Sequence, residues 1–244
     1  MNWRESQVSF RRRLTECYDT AGVDRYESWI AKLDADDDRA CLEDLRPEFQ
    51  FVETMRVLDA GAGTGAMCRV ILSAADVKLT ALEPVPAMIS RLRAKPELRG
   101  VRAVEGYCDA ESDHRHFDAA SFDVIVSRQL CNGLYDPLAA FRNWLSWLTP
   151  GGTLLAIDGI YDRDAWDGEM KVDTLPLSAC RTMATVPYLL EIAGFELVAA
   201  KWMTKTNRRP LTRTPRYVVI ARKPRASRTE SLDWARDRSL ALGG

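Results

Sequence analysis

Apolar residues follow two different rhythms along the chain. Up to about residue 54 they recur at helical spacing. Trp3, Val8, Phe10, Leu14 and Cys17-Tyr18 form a loose first stripe, and Tyr26, Trp29, Ile30 and Leu33 form a second after the polar break Asp19 to Asp24. Cys41, Leu42, Leu45 and Phe49 make a third, preceded by the acidic run Asp34-Ala35-Asp36-Asp37-Asp38. Acids favour the first turn of a helix, so this run predicts a solvated helix start. From Val57 onward short apolar runs alternate with helical stripes, the pattern of a doubly wound, mostly parallel sheet.

The runs read as strands are Val57 to Asp59, Val77 to Leu82, Val101 to Glu105, Phe122 to Ser127 and Thr153 to Ile157, followed by Phe195 to Trp202 and Arg216 to Ala221. Helices fall between the earlier ones. Pro84 and Pro86 start the helix with Met88, Ile89 and Leu92, and Leu138 to Leu148 stops at the turn Thr149-Pro150-Gly151-Gly152. No helix separates the last two strands, which predicts an antiparallel hairpin at the sheet edge. The fold expected is α/β: a doubly wound seven-stranded sheet, mostly parallel with its last strand antiparallel, under an N-terminal helical cap. Residues 1–54 form the cap and 55–223 the sheet domain, with a lid insertion at 159–184; 224–244 is a polar extension.

Composition narrows the chemistry. Lys and Arg number 34 against 35 Asp and Glu, so no global charge points to a polyanionic partner. Six cysteines are widely spaced without a Cys-x-x-Cys pair, and there are two histidines, His114 and His116; no metal site is expected. No run suits a membrane span and the N-terminus lacks a signal-peptide core, so a cytoplasmic protein is the expectation. Nothing decides between a monomer and a homodimer.

The stretch Val57-Leu58-Asp59-Ala60-Gly61-Ala62-Gly63-Thr64-Gly65 carries the candidate chemistry. A strand, a glycine turn and a helix N-terminus make a cofactor cradle, and Glu83 lies where a ribose-binding acid belongs. This pattern admits a dinucleotide or S-adenosylmethionine. Asp59 separates them: a pyrophosphate beside it would be repelled, whereas an ammonium and a sulfonium would be attracted.

In these motifs the chain resembles the class I S-adenosylmethionine-dependent methyltransferases, small-molecule branch, over about residues 55 to 222. Val57 to Gly65 match the family's first motif, Glu83 its second with Met88 following, and Asp109-Ala110 its third. Ser121 to Ser127, Leu148 to Gly152 and Leu189 to Phe195 match the later ones. The resemblance implies that Gly61, Gly63 and Gly65 admit the methionine portion and Asp59 takes its ammonium. It implies further that Glu83 takes the ribose hydroxyls, Met88 packs on adenine, Asp109 and Ala110 read the adenine edge, and Ser127 lies where donor meets acceptor. It also implies S-adenosyl-L-methionine as cofactor and a small-molecule acceptor methylated on O, N, C or S.

No general base stands out. Arg128, Asp158 and Tyr161 are the candidates on the acceptor side, and Tyr18, Tyr26, Trp29, Arg128, Asn132, Tyr161 and Trp166 are candidate acceptor contacts from cap and lid. A second reading is RNA methylation, because Lys201 to Arg228 contains ten Lys or Arg and no acid. The same stretch could instead pair with the acidic Asp34 to Glu48 region. An NAD(P)-binding oxidoreductase is the third reading.

Overall fold

A computed structural model of the chain describes residues 3–161, 175–178, 182–212 and 214–225. Three helices come first: α1 (Trp3–Cys17), α2 (Thr20–Ile30) and α3 (Ala35–Leu45). Each start has a local cause. Asp19 accepts from the Gly22 N–H, and Asp34 accepts from the N–H groups of Asp36 and Asp37 while Asp37 reaches back to the Asp34 N–H. These are side-chain caps for donors that have no intrahelical partner.

Strands β1 (Arg56–Ala60), β2 (Lys78–Glu83), β3 (Arg102–Glu105), β4 (Phe122–Arg128), β5 (Leu148–Gly159), β6 (Glu196–Trp202) and β7 (Arg216–Arg222) form one seven-stranded sheet in the order β3-β2-β1-β4-β5-β7-β6. The first five run parallel, and β7 pairs antiparallel with both β5 and β6. The expected hairpin therefore forms with β6 outermost and β7 inside the sheet. One boundary differs from the sequence reading. The Pro150-Gly151-Gly152 turn lies within β5, where Gly151 donates to the Lys223 carbonyl and Lys223 to the Gly152 carbonyl. Pairing with the segment after β7 holds as strand what local composition reads as a turn.

Helices α4 (Ala66–Ala74), α5 (Pro86–Ala94), α6 (Pro137–Trp147) and α7 (Thr185–Ala193) cover the two faces. Phe141, Trp144 and Trp147 of α6 and Leu190 of α7 pack on Leu58, Ile125 and Leu154. Met67, Val70 and Ile71 of α4, with Cys41 and Leu45 of α3, pack on Val57, Val124 and Leu155. Alternation along β1 thus sends Leu58 to one layer and Val57 and Asp59 to the other. Strand order reverses between β1 and β4, and a sheet of this type opens a crevice beyond the strand ends at that point.

The basic C-terminal stretch meets α3 and its flanks. Arg209 pairs with Asp34 and Asp37 at 3.0 and 2.6 Å, Lys201 pairs with Glu48, and Asp44 accepts from the N–H groups of Lys205 and Thr206. Of the expected lid, only 159–161, 175–178 and 182–184 are described; Trp166 and the extension beyond Arg225 lie outside the described residues. Among the described residues no helix is long and apolar enough to cross a membrane.

Leu58 is fully buried at the centre of the sheet. Leu58→Ala is expected to cost about 2–5 kcal/mol of stability, because the surrounding layers close only partly on the cavity. Urea unfolding with an unchanged m-value checks this.

Candidate functional site

The site is built at the carboxyl ends of β1, β2 and β4. After β1 the chain turns through Gly61, Gly63 and Gly65 at φ of 71°, 55° and 93°. Gly61 and Ala62 donate to the Leu82 carbonyl at 2.9 and 3.1 Å, which ties the turn to β2. At Gly65 a Cβ would lie 2.3 Å from Leu98 Cδ1, so both conformation and space require glycine before α4.

Glu83 ends β2, buried. One carboxylate oxygen accepts from the Gly63 N–H at 2.8 Å and the other from Val85 N–H at 2.9 Å. Burial pushes its pKa up to about 7, although both hydrogen bonds pull it down. Each oxygen keeps acceptor capacity, enough for a pair of hydroxyls.

Asp59 is 1% exposed. Its Oδ2 accepts from the Cys68 thiol at 3.2 Å, and Oδ1 has no hydrogen-bond partner. Burial pushes this carboxyl up to about 6, against the Cys68 hydrogen bond and the Arg128 charge. A buried acid with an unsatisfied oxygen at a glycine turn fits a ligand that brings a cationic donor, and it opposes a pyrophosphate. The donor set therefore suits S-adenosylmethionine better than a dinucleotide.

The cap closes over this turn. Tyr26 Oη and Met88 Sδ border the space above Gly63, 3.5 and 3.8 Å from where a Cβ would stand. Tyr18 meets Tyr26 edge to face at 6.5 Å, and both pack with Val23, Val85 and Met88. Burial pushes the Tyr26 phenol up to about 12, with Asp59 and Glu83 adding to the rise and Arg128 opposing it. Tyr18, Tyr26, Met88, Asp59, Glu83 and the glycines thus lie together around this turn.

The third motif is engaged differently from its expected role. Asp109 is buried; its Oδ1 accepts from Arg11 at 2.7 Å and its Oδ2 from the Tyr135 N–H at 2.8 Å. Gln7 donates to the Asp109 carbonyl, and the Ala110 N–H donates to Asp113. In this structure the groups expected to read an adenine edge are held by protein, and Asp109 is the seat of α1.

At the end of β4, Ser127 is buried with its Oγ 4.0 Å from Cys131 Sγ, and Arg128 is half-buried. Asp158 accepts from the Asn132 and Gly159 N–H groups at 3.1 and 2.7 Å, which ties the loop after β4 to the end of β5; burial pushes it up to about 6. Tyr161 meets Gln129 and Arg216, and Trp29 faces the same cavity as Arg128. Asn132 reaches this region through its backbone.

Sequence reasoning missed Arg11, Cys68 and Arg216. Arg11 had a signal: Gln7, Arg11, Leu14 and Tyr18 share one helix face at spacings of four and three. Gln129 follows Ser127 and Arg128 where the sequence places the meeting of donor and acceptor, but its contact with Arg216 goes with a φ of 57° that no sequence signal gives.

A family model described as a methyltransferase domain matches residues 33–199, more than half of the chain. Phosphoethanolamine N-methyltransferases 1 and 3 of Arabidopsis thaliana are 29% and 27% identical over 63% of this chain. The match covers 31% of each, so the chain spans about a third of the length of these curated relatives. Among solved structures, phosphoethanolamine N-methyltransferase 2 of Haemonchus contortus, in complex with S-adenosyl-L-methionine, superposes with a TM-score of 0.67 at 17% identity. That superposition covers 88% of this chain and 60% of the other. A Mesorhizobium loti S-adenosylmethionine-dependent methyltransferase superposes with a TM-score of 0.56 at 24% identity, covering 75% and 97%.

Asp59 and Glu83 both titrate above the ordinary carboxylate range when folded. The folded chain then holds more protons than the unfolded one between pH ~4 and ~7, so ligand-free stability falls as pH rises through that window. A ligand that brings an ammonium to Asp59 reverses the preference. Affinity for S-adenosylhomocysteine should rise from about pH 5 to 7.5 with net proton release, measured by calorimetry in buffers of different ionisation enthalpy. Affinity flat across that range would contradict this electrostatic account.

Proposed function

Because the chain belongs to the methyltransferase-domain family, we propose that it transfers the methyl group of S-adenosylmethionine to a small-molecule acceptor held between α2 and the ends of β4 and β5. The observation that carries the donor half is Asp59 Oδ1, buried and without a partner beside the glycine turn. When bound, S-adenosylmethionine supplies a methyl group already activated on a sulfonium. The chain's own residues then need to bind, align and exclude water, and these contribute much of the acceleration in a displacement of this kind.

Each role follows from position. Asp59 offers its open oxygen to the donor's ammonium, and Glu83 offers both oxygens to the ribose diol. Tyr18, Tyr26 and Met88 wall the space over Gly63 and keep water out. Asp158 accepts a backbone N–H at each oxygen and so ties the segment after β4 to the end of β5. Tyr161 is tied to Arg216 and Gln129 and positions those groups.

Two observations support a small acceptor. The cap seats directly on the turn, and the names of the Arabidopsis relatives state a small amine-bearing substrate. The RNA reading weakens for a physical reason. Lys201 and Arg209 of the basic stretch are paired with acids of α3 and its flanks, leaving fewer charges for phosphates.

Asp59→Asn keeps the shape and can still accept from Cys68 but lacks the charge. Calorimetry should show S-adenosylmethionine affinity reduced at least about tenfold with the fold intact, in line with loss of a buried charge-assisted bond. In the wild type, label from methyl-labelled S-adenosylmethionine should enter the small-molecule fraction of a cell extract. Label confined to RNA would overturn the acceptor assignment, and NADH binding without adenosyl-ligand binding would overturn the donor.

A further inference from the structure

Beside the cofactor turn, enclosed by α2, α3 and the ends of β4, β5 and β7, lies a cavity of about 50 Å³. That is room for several water-sized groups. Much of its wall is apolar, from Trp29, Cys41, Ile157 and Met203, yet two guanidinium groups, Arg128 and Arg216, also line it.

Neither arginine has a carboxylate within ion-pair reach among the described residues. Arg128 is half-buried and makes no hydrogen bond there; its charge is felt by Tyr26, Cys41 and Asp59 only at longer range. Arg216 is oriented instead of neutralised. With the Gln129 amide turned so that its oxygen faces donors, that oxygen accepts from both Arg216 Nη atoms at 3.1 and 2.8 Å and from Tyr161 Oη at 2.9 Å. Arg216 also donates to Tyr161 Oη and lies over its ring, 5.4 Å from the centroid. A guanidinium has five N–H donors, so these contacts leave donors over.

The cavity's acids do not supply the missing charge. Asp37 is held by Arg209 at 2.6 Å and Asp38 by Arg69 at 2.9 Å, while Asp158 feels the Arg216 charge only at longer range and is engaged by two backbone N–H groups. The local backbone is shaped for the arrangement. Gln129 holds a left-handed φ of 57°, which a non-glycine residue adopts at a cost, and its N–H donates to the Ile157 carbonyl at 2.7 Å. Gly159 stands opposite Arg216 across the β5–β7 ladder, and a Cβ there would come 2.5 Å from Arg216 Nη1. On the rim Thr206 Oγ1 is buried with no partner. Two half-buried cations without a carboxylate partner and an orphan hydroxyl against an apolar wall form half of an anion site.

We propose that this cavity anchors the acceptor by an acidic group, a carboxylate or a phosphate monoester, with Arg128 and Arg216 as its charge partners. Arg128 follows Ser127, which pairs in the sheet with Ala60 at the mouth of the glycine turn, so an acceptor anchored there presents its other end toward the donor. The proposal rests on the methyl-transfer reading above, and the test separates the two.

The full chain is first titrated with S-adenosylhomocysteine and then, at saturation, with inorganic phosphate or acetate at ionic strength held constant with chloride. We expect phosphate or acetate to bind and to raise Tm. Arg128→Met and Arg216→Met should each weaken that binding at least about tenfold, with Arg128→Lys retaining part of it. Phosphate preferred over acetate indicates a phosphate monoester, and the reverse a carboxylate. In methyl transfer, Arg128→Met should raise KM for phosphoethanolamine more than for ethanolamine. A chain that binds S-adenosylhomocysteine but neither anion overturns this proposal and leaves methyl transfer standing. So does an Arg128→Met variant that loses S-adenosylhomocysteine affinity but keeps the anion, since its guanidinium then belongs to the donor's carboxylate. A chain that does not bind S-adenosylhomocysteine overturns both.

Discussion

One carboxylate holds the centre of this molecule together. Glu83 closes β2, and its two oxygens take the N–H groups of Gly63 and Val85, so the glycine turn after β1 and the entry to α5 are fixed by the same side chain. Left-handed glycines are soft, and nothing in their own chemistry selects one arrangement. The Glu83 bond to Gly63 and the two bonds from Gly61 and Ala62 to Leu82 turn that softness into a defined cradle.

Around that cradle the chain buries three acids, one of them with an oxygen that no hydrogen bond satisfies. Asp59, Glu83 and Asp158 are all buried and all pushed above the ordinary carboxylate range by burial. Arg128 is the nearby charge that relieves Asp59, from a distance too long for an ion pair. Positive and negative charge are thus held apart on adjacent strand ends. That separation has an energetic cost without a ligand, and it favours a zwitterionic donor and a charged acceptor over neutral ones.

Most of the architecture was legible from the chain alone. Alternating apolar runs located the seven strands, because parallel strands buried on both faces must be almost continuously apolar. The glycine motif and Glu83 could be read because their spacing reflects a backbone requirement. The Pro150-Gly151-Gly152 segment misleads, since pairing with residues about seventy positions later overrides a local turn signal. The pairing of Arg216 with Gln129 was out of reach: one is a single member of a basic stretch, the other a glutamine in a strained conformation. Asp109 was located from its motif, but no sequence rule indicates that Arg11 occupies it.

That last contact gives the cap a thermodynamic meaning. Arg11 joins α1 to Asp109 and Asp113 at 2.7 and 2.8 Å, and Gln7 and Tyr107 add hydrogen bonds along the same helix. A ligand group that takes Arg11's place on Asp109 must first undo part of the docking of α1. The free energy holding the helix down is then subtracted from the ligand's affinity, and occupancy of the site becomes linked to the position of the helix. Toward any such ligand group, helix α1 would act as an internal competitor.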